Sequence, residues 1–139
     1  MIDRQKRAVI AHWPVTHAAA NYPMALDEAH HRLFIGCRQP ARLLALDTDT
    51  GELVAQVECA GDTDDVFYDA KNKRIYVSGG EGFISIFAQL DADKYQPVAN
   101  IPTAAGARTS LFVPALGRLY LAVPHRGNQP AEVRVYETQ

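Results

Sequence analysis

Three aspartates lie together in the segment GDTDD, where Asp62, Asp64 and Asp65 come directly before a run of apolar residues. Carboxylate oxygens are hard ligands of the kind that Ca²⁺ prefers, and they also attract cationic groups. Arg108 could hold an anion in the same region. Aspartate is equally a turn former, because its side chain accepts hydrogen bonds from nearby backbone N–H groups. The residues therefore allow a ligand site, or a turn in which Asp62 and Asp64 cap the backbone while Arg108 pairs with a carboxylate.

The histidines and cysteines add few reactive groups. His17 is the histidine that we expect nearest to the aspartates, so Asp64 and His17 are the candidates for a metal site. A zinc site needs three or four ligands, and no such set has a favourable spacing. Cys37 and Cys59 permit at most one disulfide, and we expect two buried free thiols. The sequence also lacks the nucleophile motif Gly-x-Ser-x-Gly. We expect no cofactor, with Ca²⁺ as the only candidate.

Composition narrows the class of partner. The 139 residues are enough for one domain, and 14 basic against 16 acidic side chains give a net charge of −2. Binding to nucleic acid requires clustered basic side chains, so this balance argues against it. The apolar runs are far shorter than the roughly 20 residues that span a bilayer. The N-terminus lacks the apolar stretch of a secretory signal. We therefore expect a protein or small-molecule partner, without nucleic acid or membrane insertion.

Two interleaved repeats show which elements position these residues. The segment MALDEAHHRLFIGC matches VFYDAKNKRIYVSG and, more loosely, LFVPALGRLYLAVP. Their arginines are 42 and 44 residues apart, at Arg32, Arg74 and Arg118. A second set comprises IDRQKRAVIAHW, LDTDTGELVAQV and LDADKYQPVANI, and its aspartates recur every 44 residues, at Asp3, Asp47 and Asp91. Short strands and polar turns that repeat at this length are typical of β-propeller blades. An immunoglobulin-like sandwich would not require such recurrence.

Each complete repeat unit predicts four antiparallel strands. In the first unit they cover residues 22–26, 32–37, 42–47 and 53–57. In the second they cover 65–68, 74–78, 83–87 and 97–101, with AQLDADKYQ as a longer exposed loop before the fourth strand. One strand at 7–13 precedes these units, and three at 111–113, 118–123 and 132–137 follow them.

The twelve strands predict an all-β chain of about three blades in a single, partial propeller domain. Residues 1–20 would form the outer strand of a preceding or closing blade. Residues 21–62 and 63–107 would be complete blades, and residues 108–139 an incomplete last blade. Closed propellers have roughly four to eight blades. The chain could be part of a larger propeller, could pair with a second copy into a six-bladed ring, or could form an open arc that assembles. We favour part of a larger propeller, because an arc exposes apolar faces.

The repeat places the candidate site residues at equivalent positions. Aligned at the start of the first strand, the units bring together Asn21 and Tyr22, then Asp64 and Asp65, then Arg108. The first strand of a blade is its innermost, so these residues should surround one mouth of the central channel. The candidate ligand site at this mouth comprises Asn21, Tyr22, Asp62, Asp64, Asp65 and Arg108.

Part of the chain resembles a known repeat. RIYVSGGEGFISIF resembles the YVTN-type β-propeller repeat family, with YVSG standing where that family has Tyr-Val-Thr-Asn. ARLLALDTDTGELVAQV is similar to the other half of that repeat. In the last unit Pro114 replaces the aspartate at the end of the first strand, which departs from the pattern. The resemblance implies a propeller of WD-repeat-like or NHL-like build, often in bacterial proteins that are exported to the periplasm, secreted or held at the cell surface. It implies no catalytic residue.

Two functions follow from this interpretation. One is a non-catalytic binding or scaffold module that recognises a ligand or protein on its loop and channel face. The other is a metal-dependent hydrolase similar to the propeller lactonases, in which acidic channel residues hold a metal that polarises a carbonyl. The absence of a reactive constellation favours the binding module.

Overall fold

The chain folds into consecutive antiparallel sheets. The computed structural model describes residues 2–3 and 7–138. Blade one consists of β3 (Ala19–Asp27), β4 (Arg32–Gln39), β5 (Ala41–Asp47) and β6 (Leu53–Glu58). Blade two consists of β7 (Thr63–Asp69), β8 (Arg74–Gly79), β9 (Phe83–Asp91) and β10 (Lys94–Pro102). Blade three consists of β11 (Ser110–Val113), β12 (Arg118–Val123) and β13 (Glu132–Glu137). A separate two-stranded sheet of β1 (Ile2–Asp3) and β2 (Ala8–Val9) precedes them.

The strands of each blade pair in sequence order, and the first strands of neighbouring blades lie side by side. This arrangement confirms the predicted all-β fold of about three propeller blades. The only helix in the described part of the chain is one 3₁₀ turn, Pro114–Leu116. None of the residues described here forms a helix long and apolar enough to span a bilayer.

Two strand predictions need correction. AQLDADKYQ is not a long loop, because β9 and β10 continue through it and pair Asp91 with Lys94. Packing explains why the two strands extend. Gln89 is buried, and the rings of Tyr95 and Phe34 meet edge to face with their centroids 5.4 Å apart. Within the predicted strand 7–13, only Ala8–Val9 is a strand, and it pairs with Ile2–Asp3. The assignment of residues 1–20 to an outer strand of another blade remains a prediction.

Apolar side chains fill the seams between blades. The first seam joins buried residues of blades one and two: Phe34, Leu43, Ala45, Val66, Ile75, Val77 and Phe87. The second joins blades two and three: Tyr76, Ile84, Ala107, Phe112, Leu119, Leu121 and Val123. Because blade two is covered on both faces, the consecutive residues Ile75, Tyr76 and Val77 are all buried, without the alternation of a half-exposed strand.

The turn between the first two strands has one recurring backbone feature in all three blades. The residue before the repeat arginine has a positive φ each time: 55° at His31, 51° at Lys73 and 58° at Gly117. The aspartates that end β3 and β7 pair with these arginines, Asp27 with Arg32 and Asp69 with Arg74. In blade three Val113 holds that place opposite Arg118, so Pro114 is not the substitute for the aspartate but begins the 3₁₀ turn.

Candidate functional site

The starts of β3 and β7 carry equivalent irregularities. The register of β3 shifts between Asn21 and Met24, and that of β7 shifts between Thr63 and Asp65. A bulge adds a residue to one strand and redirects side chains near it. Tyr22 lies inside the first shift and Asp64 inside the second, so the repeated backbone presents different chemistry at the same place in each blade.

Four charged side chains form an ion-pair network at this place. The carboxylate of Asp62 lies 3.2 Å from Nη1 of Arg38 and 2.5 Å from Nη1 of Arg108. The carboxylate of Asp64 pairs with Nη2 of Arg38 and lies 2.8 Å from Nε of Arg108. Each aspartate therefore bridges two arginines, and each arginine bridges two aspartates. The hydrogen bond from Arg108 to Asp62, together with the negative charges of Asp62 and Asp64, raises the pKa of Arg108 above its usual value.

Arg38 is held by further contacts. Its Nε donates a hydrogen bond to the backbone oxygen of Thr63 at 3.0 Å, and its guanidinium lies 4.4 Å from the centroid of the Tyr22 ring. A cation above an aromatic face is attracted by about 0.5–1 kcal/mol at exposed sites. Tyr22 itself is 60% exposed. The tyrosine thus supports the arginine and leaves most of its ring open to a partner.

The backbone next to this network leaves little spare room. Asp62 has a φ of 54°, in the left-handed region. A Cβ atom at Gly80 would lie 2.2 Å from Oδ2 of Asp62, so any larger residue there would displace the carboxylate. The backbone N–H of Gly80 also donates a hydrogen bond to the backbone carbonyl oxygen of Asp62 at 2.9 Å. These contacts fix Asp62 in the orientation that reaches both arginines.

Asp65 has a different role from the other two aspartates. Its Oδ2 accepts a hydrogen bond from the backbone N–H of Ser110 at 2.6 Å. Burial raises the pKa of Asp65 above its usual value, the Ser110 N–H opposes this, and the nearby charge of Asp64 adds to it. The Ser78 hydroxyl donates a hydrogen bond to the backbone carbonyl oxygen of Arg108 at 2.8 Å. It also lies 2.8 Å from the Ser110 hydroxyl. Asp65 therefore belongs to the seam between blades two and three.

Besides Asp65, two further predicted residues, Asn21 and His17, lie outside the network. Asn21 is exposed and opposite Cys37 in the β3–β4 pairing. His17 lines a separate cavity of about 300 Å³ together with Trp13 and Leu44, so the structure does not bring it to Asp64. Within residues 7–138, no three His, Cys, Asp or Glu side chains are grouped as metal ligands.

Sequence reasoning did not identify Arg38, although a signal for it exists. Gln39 pairs with Ala19, so the end of β4 lies beside the start of β3. A charged residue at the end of the second strand therefore reaches the same mouth as the start of the first. Considering strand ends together with strand starts would have included Arg38.

The cysteines are unsuited to nucleophilic chemistry. Both are free, Cys37 buried and Cys59 half-buried, in agreement with the expected free thiols. Burial raises the pKa of both thiols, that of Cys59 to about 12, so the reactive thiolate is scarce at neutral pH.

Comparisons with known proteins bear on the fold. No protein-family model and no curated protein matches the sequence. Among solved structures, a hydrazine synthase from Kuenenia stuttgartiensis is similar, with a TM-score of 0.84 and 14% identity over 98% of this chain and 38% of that one. The Dos1 propeller matches 98% of this chain and 35% of its own, with a TM-score of 0.69 and 12% identity.

A putative 6-phosphogluconolactonase from Bacteroides uniformis gives a TM-score of 0.67 and 14% identity over 93% of this chain and 41% of that one. At these identities the likeness concerns the fold alone. The chain spans 35–41% of the length of these three structures. Their likeness and the consecutive sheets establish that the chain has a β-propeller fold.

Proposed function

We propose that the chain is a non-catalytic binding module whose channel mouth, formed by Tyr22, Arg38, Asp62, Asp64 and Arg108, recognises a protein or small-molecule ligand. The observation that carries this proposal is the double engagement of Asp62 and Asp64 by two arginines. The two guanidinium groups beside these carboxylates carry positive charge, which disfavours the binding of a metal cation there. The carboxylates instead orient the two guanidinium groups.

The exposed parts of the mouth indicate how a ligand would bind. The Arg108 side chain is 40% exposed and that of Arg38 is 25% exposed, so both can still donate hydrogen bonds outward. The open ring of Tyr22 adds an apolar surface beside them. Aromatic residues and arginine are enriched among the residues that dominate binding energy in interfaces. This combination suits a ligand that has a carboxylate or backbone carbonyl next to an apolar group.

The repeat type and setting belong to the same proposal. We infer that the repeats are of the YVTN type, because Tyr76, Val77, Ser78 and Gly79 occupy the second strand of blade two, as the resemblance implies. A bacterial, exported scaffold is consistent with that family.

Selection of peptides on the mouth tests the binding function. A random 12-residue peptide library would be selected against the protein, and enriched peptides would be measured on purified variants. We expect Tyr22→Ala and Arg108→Gln each to weaken binding at least tenfold, while Glu132→Gln, in blade three, leaves it unchanged. Enriched peptides that bind all variants equally would place recognition elsewhere.

A lactonase-like hydrolase is the second candidate. It is favoured by the acidic residues at the mouth and by the fold shared with the putative 6-phosphogluconolactonase. The two candidates differ in calorimetric titration with Ca²⁺, Mg²⁺ and Zn²⁺, combined with an assay of gluconolactone hydrolysis. The binding module predicts no metal-dependent heat and no hydrolysis. Metal binding that Asp64→Ala abolishes, together with hydrolysis, would favour the enzyme.

A further inference from the structure

The outer side of blade one is the free edge of β6. In the described part of the chain β6 is the last strand of its sheet and pairs only with β5. The N–H of Cys59, directly after β6, donates a hydrogen bond to the carbonyl oxygen of Ala41 at 3.3 Å. In an antiparallel pair, every second residue turns its backbone groups toward the partner strand. With the continuous register of β5 and β6 here, Val57 also faces β5, whereas the N–H and C=O groups of Gln56 and Glu58 face the open edge.

The corresponding edge of blade two is protected against further pairing, and that of blade one is not. Strand β10 contains Lys94, Pro97 and Pro102, and its register shifts between Pro97 and Ala99. Lysine, proline and bulges are the usual means by which proteins stop an edge strand from pairing with another chain. Strand β6 contains neither lysine nor proline, and its register shift lies at its start, so that residues 55–58 pair with β5 without interruption. The edge of β6 is therefore open to a further strand.

Two recesses adjoin this edge, and Glu58 lines both of them. The first has about 200 Å³ and is lined by Arg42, Gln56, Val57 and Glu58. The second has about 460 Å³ and lies where the end of β6 meets blade two. Its lining includes Cys59, Ser85, Phe87, Pro97 and Asn100. An added strand directs successive side chains to opposite faces of the sheet, so recesses next to the edge select the side chains at alternate positions.

Carboxylates without an ion-pair partner make this edge acidic. Glu52, directly before β6, and Glu58, at its end, are exposed, and neither forms an ion pair with a described residue. Arg42 lies opposite Glu58, but its Nη1 donates a hydrogen bond to Oε1 of Gln56 at 2.6 Å. Opposite charges on directly opposed residues of neighbouring strands attract, and like charges repel. A strand added beside Glu58 is therefore favoured if it carries lysine or arginine there, and disfavoured if it carries an acidic residue.

We propose that the free edge of β6 binds an extended, basic peptide segment of another protein, which adds a strand to blade one. Backbone hydrogen bonds to Gln56 and Glu58 provide affinity, and the two recesses provide selectivity for its side chains. The added strand is antiparallel to β6, as are the paired strands of blade one, so its first residues lie beside Glu58 and carry the positive charge. This site lies on the outermost strand of the blade and does not depend on the binding function proposed at the channel mouth.

Two variants of one edge residue test the proposal with a defined peptide. The probe is a fluorescein-labelled peptide of about seven residues, within the usual length of a strand, in which threonine and valine alternate between two terminal lysines. Fluorescence anisotropy measures its binding to the purified protein. Gln56→Pro removes an N–H group that faces the open edge and should weaken binding at least about tenfold. Gln56→Ala keeps that N–H group and should bind the probe as the unsubstituted protein does. No binding to the unsubstituted protein, or equal binding to both variants, would overturn the proposal.

Changes in the peptide test the same edge even if Gln56→Pro does not fold. N-methylation of the threonines alone, or of the valines alone, removes every second N–H group, so one of these two peptides should lose binding and the other should keep it. Glutamate in place of both lysines should weaken binding, and Glu58→Gln should reduce the difference between the lysine and glutamate peptides. Equal binding of the two methylated peptides would exclude strand addition. A glutamate peptide that binds as well as the lysine peptide would exclude a basic partner.

Discussion

At the scale of single residues, the most buried charge lies far from the channel mouth. Asp27 is only 2% exposed, and its Oδ2 accepts hydrogen bonds from Nε2 of Gln89 at 2.8 Å and Nδ1 of His30 at 2.7 Å. Gln89 belongs to blade two and accepts a hydrogen bond from the Tyr68 hydroxyl at 2.5 Å. Burial acts to raise the pKa of Asp27, but the bonds from Gln89 and His30 outweigh it and leave the pKa below its usual value.

Removing this carboxylate should lower the free energy of unfolding by an amount that depends on pH. Asp27→Ala leaves the Gln89 amide without its partner, at a cost of about 1–3 kcal/mol in the free energy of unfolding. Because the pKa of Asp27 is lower in the folded state, its ionised form stabilises the protein above roughly pH 4, and this contribution disappears as pH falls through the folded pKa. Urea unfolding measures the free energy of unfolding of Asp27→Ala and of the unsubstituted protein. The difference between the two should be larger at pH 7 than at pH 3.

Asp49→Ala is the control for this prediction. The Asp49 side chain is 71% exposed, and among the described residues it forms an ion pair only with the exposed His31, so its loss should change the unfolding free energy by less than about 0.5 kcal/mol. A difference for Asp27→Ala that grows toward pH 3 would contradict the assigned sign.

The sequence allowed an ion pair between Arg108 and a carboxylate, and Asp62 and Asp64 both contact Arg108, but it did not predict their second partner, Arg38. Repeat alignment suffices to place Asp64 beside Tyr22 at equivalent strand starts. Whether a carboxylate is available or paired depends on side chains from neighbouring blades, and Arg38 approaches from a strand that the alignment did not consider. Asp65 shows the same limit, since its partner is a backbone N–H of blade three.

At the scale of elements, the recurring left-handed residue before each repeat arginine is the firmest constraint. His31 and Lys73 adopt it despite having a Cβ, and only Gly117 adopts it without steric cost. The sequence signalled the turn through its polar residues, but the backbone region could not be read from His31 or Lys73. Likewise β9 and β10 extend into a predicted loop, because cross-blade contacts of Gln89 and Tyr95 outweigh the loop-like composition.

Substitutions of the residue before the repeat arginine should change the unfolding free energy according to how well the new residue tolerates a positive φ. Gly117→Val places a β-branched residue at a φ of 58° and should lower the unfolding free energy by about 1–2 kcal/mol. Lys73→Gly relieves the same conformation and should not lower it, since the relief offsets the added freedom of the unfolded chain. Urea unfolding of the two variants measures both effects. Equal destabilisation by the two would show that the turn does not carry this constraint.

At the scale of the whole molecule, stability is a chain of neighbouring seams. In the described part of the chain, one apolar seam joins blades one and two and another joins blades two and three, so a defect in one seam should spread mainly to the two blades that share it. The blade number followed from the repeat spacing. The packing of the seams could not be predicted in the same way, because the alternating pattern of a strand does not show which neighbouring blade each of its two faces contacts.

Truncations of one ring in each seam should therefore accelerate hydrogen exchange in different blades. Phe34→Ala removes a ring with no exposure from the first seam and should cost about 3–5 kcal/mol. Hydrogen exchange should accelerate in β4, β5, β8 and β9 more than in β12. Phe112→Ala, in the second seam, should accelerate β11 and β12 more than β4. Uniform acceleration in both variants would mean that the blades open as one unit.

The ion pairs of Arg32 indicate the order in which the blades can dock as the chain is synthesised. Its guanidinium, at the start of β4, bridges Asp47 of its own blade and Asp93, in the turn between β9 and β10, each at 2.7 Å. In the same sense, Trp13 lies against Gly51, in the turn between β5 and β6. Each such turn thus contacts a part of the chain that leaves the ribosome earlier. During synthesis, blades one and two each complete their last hairpin against a surface that has already emerged, so docking can keep pace with translation.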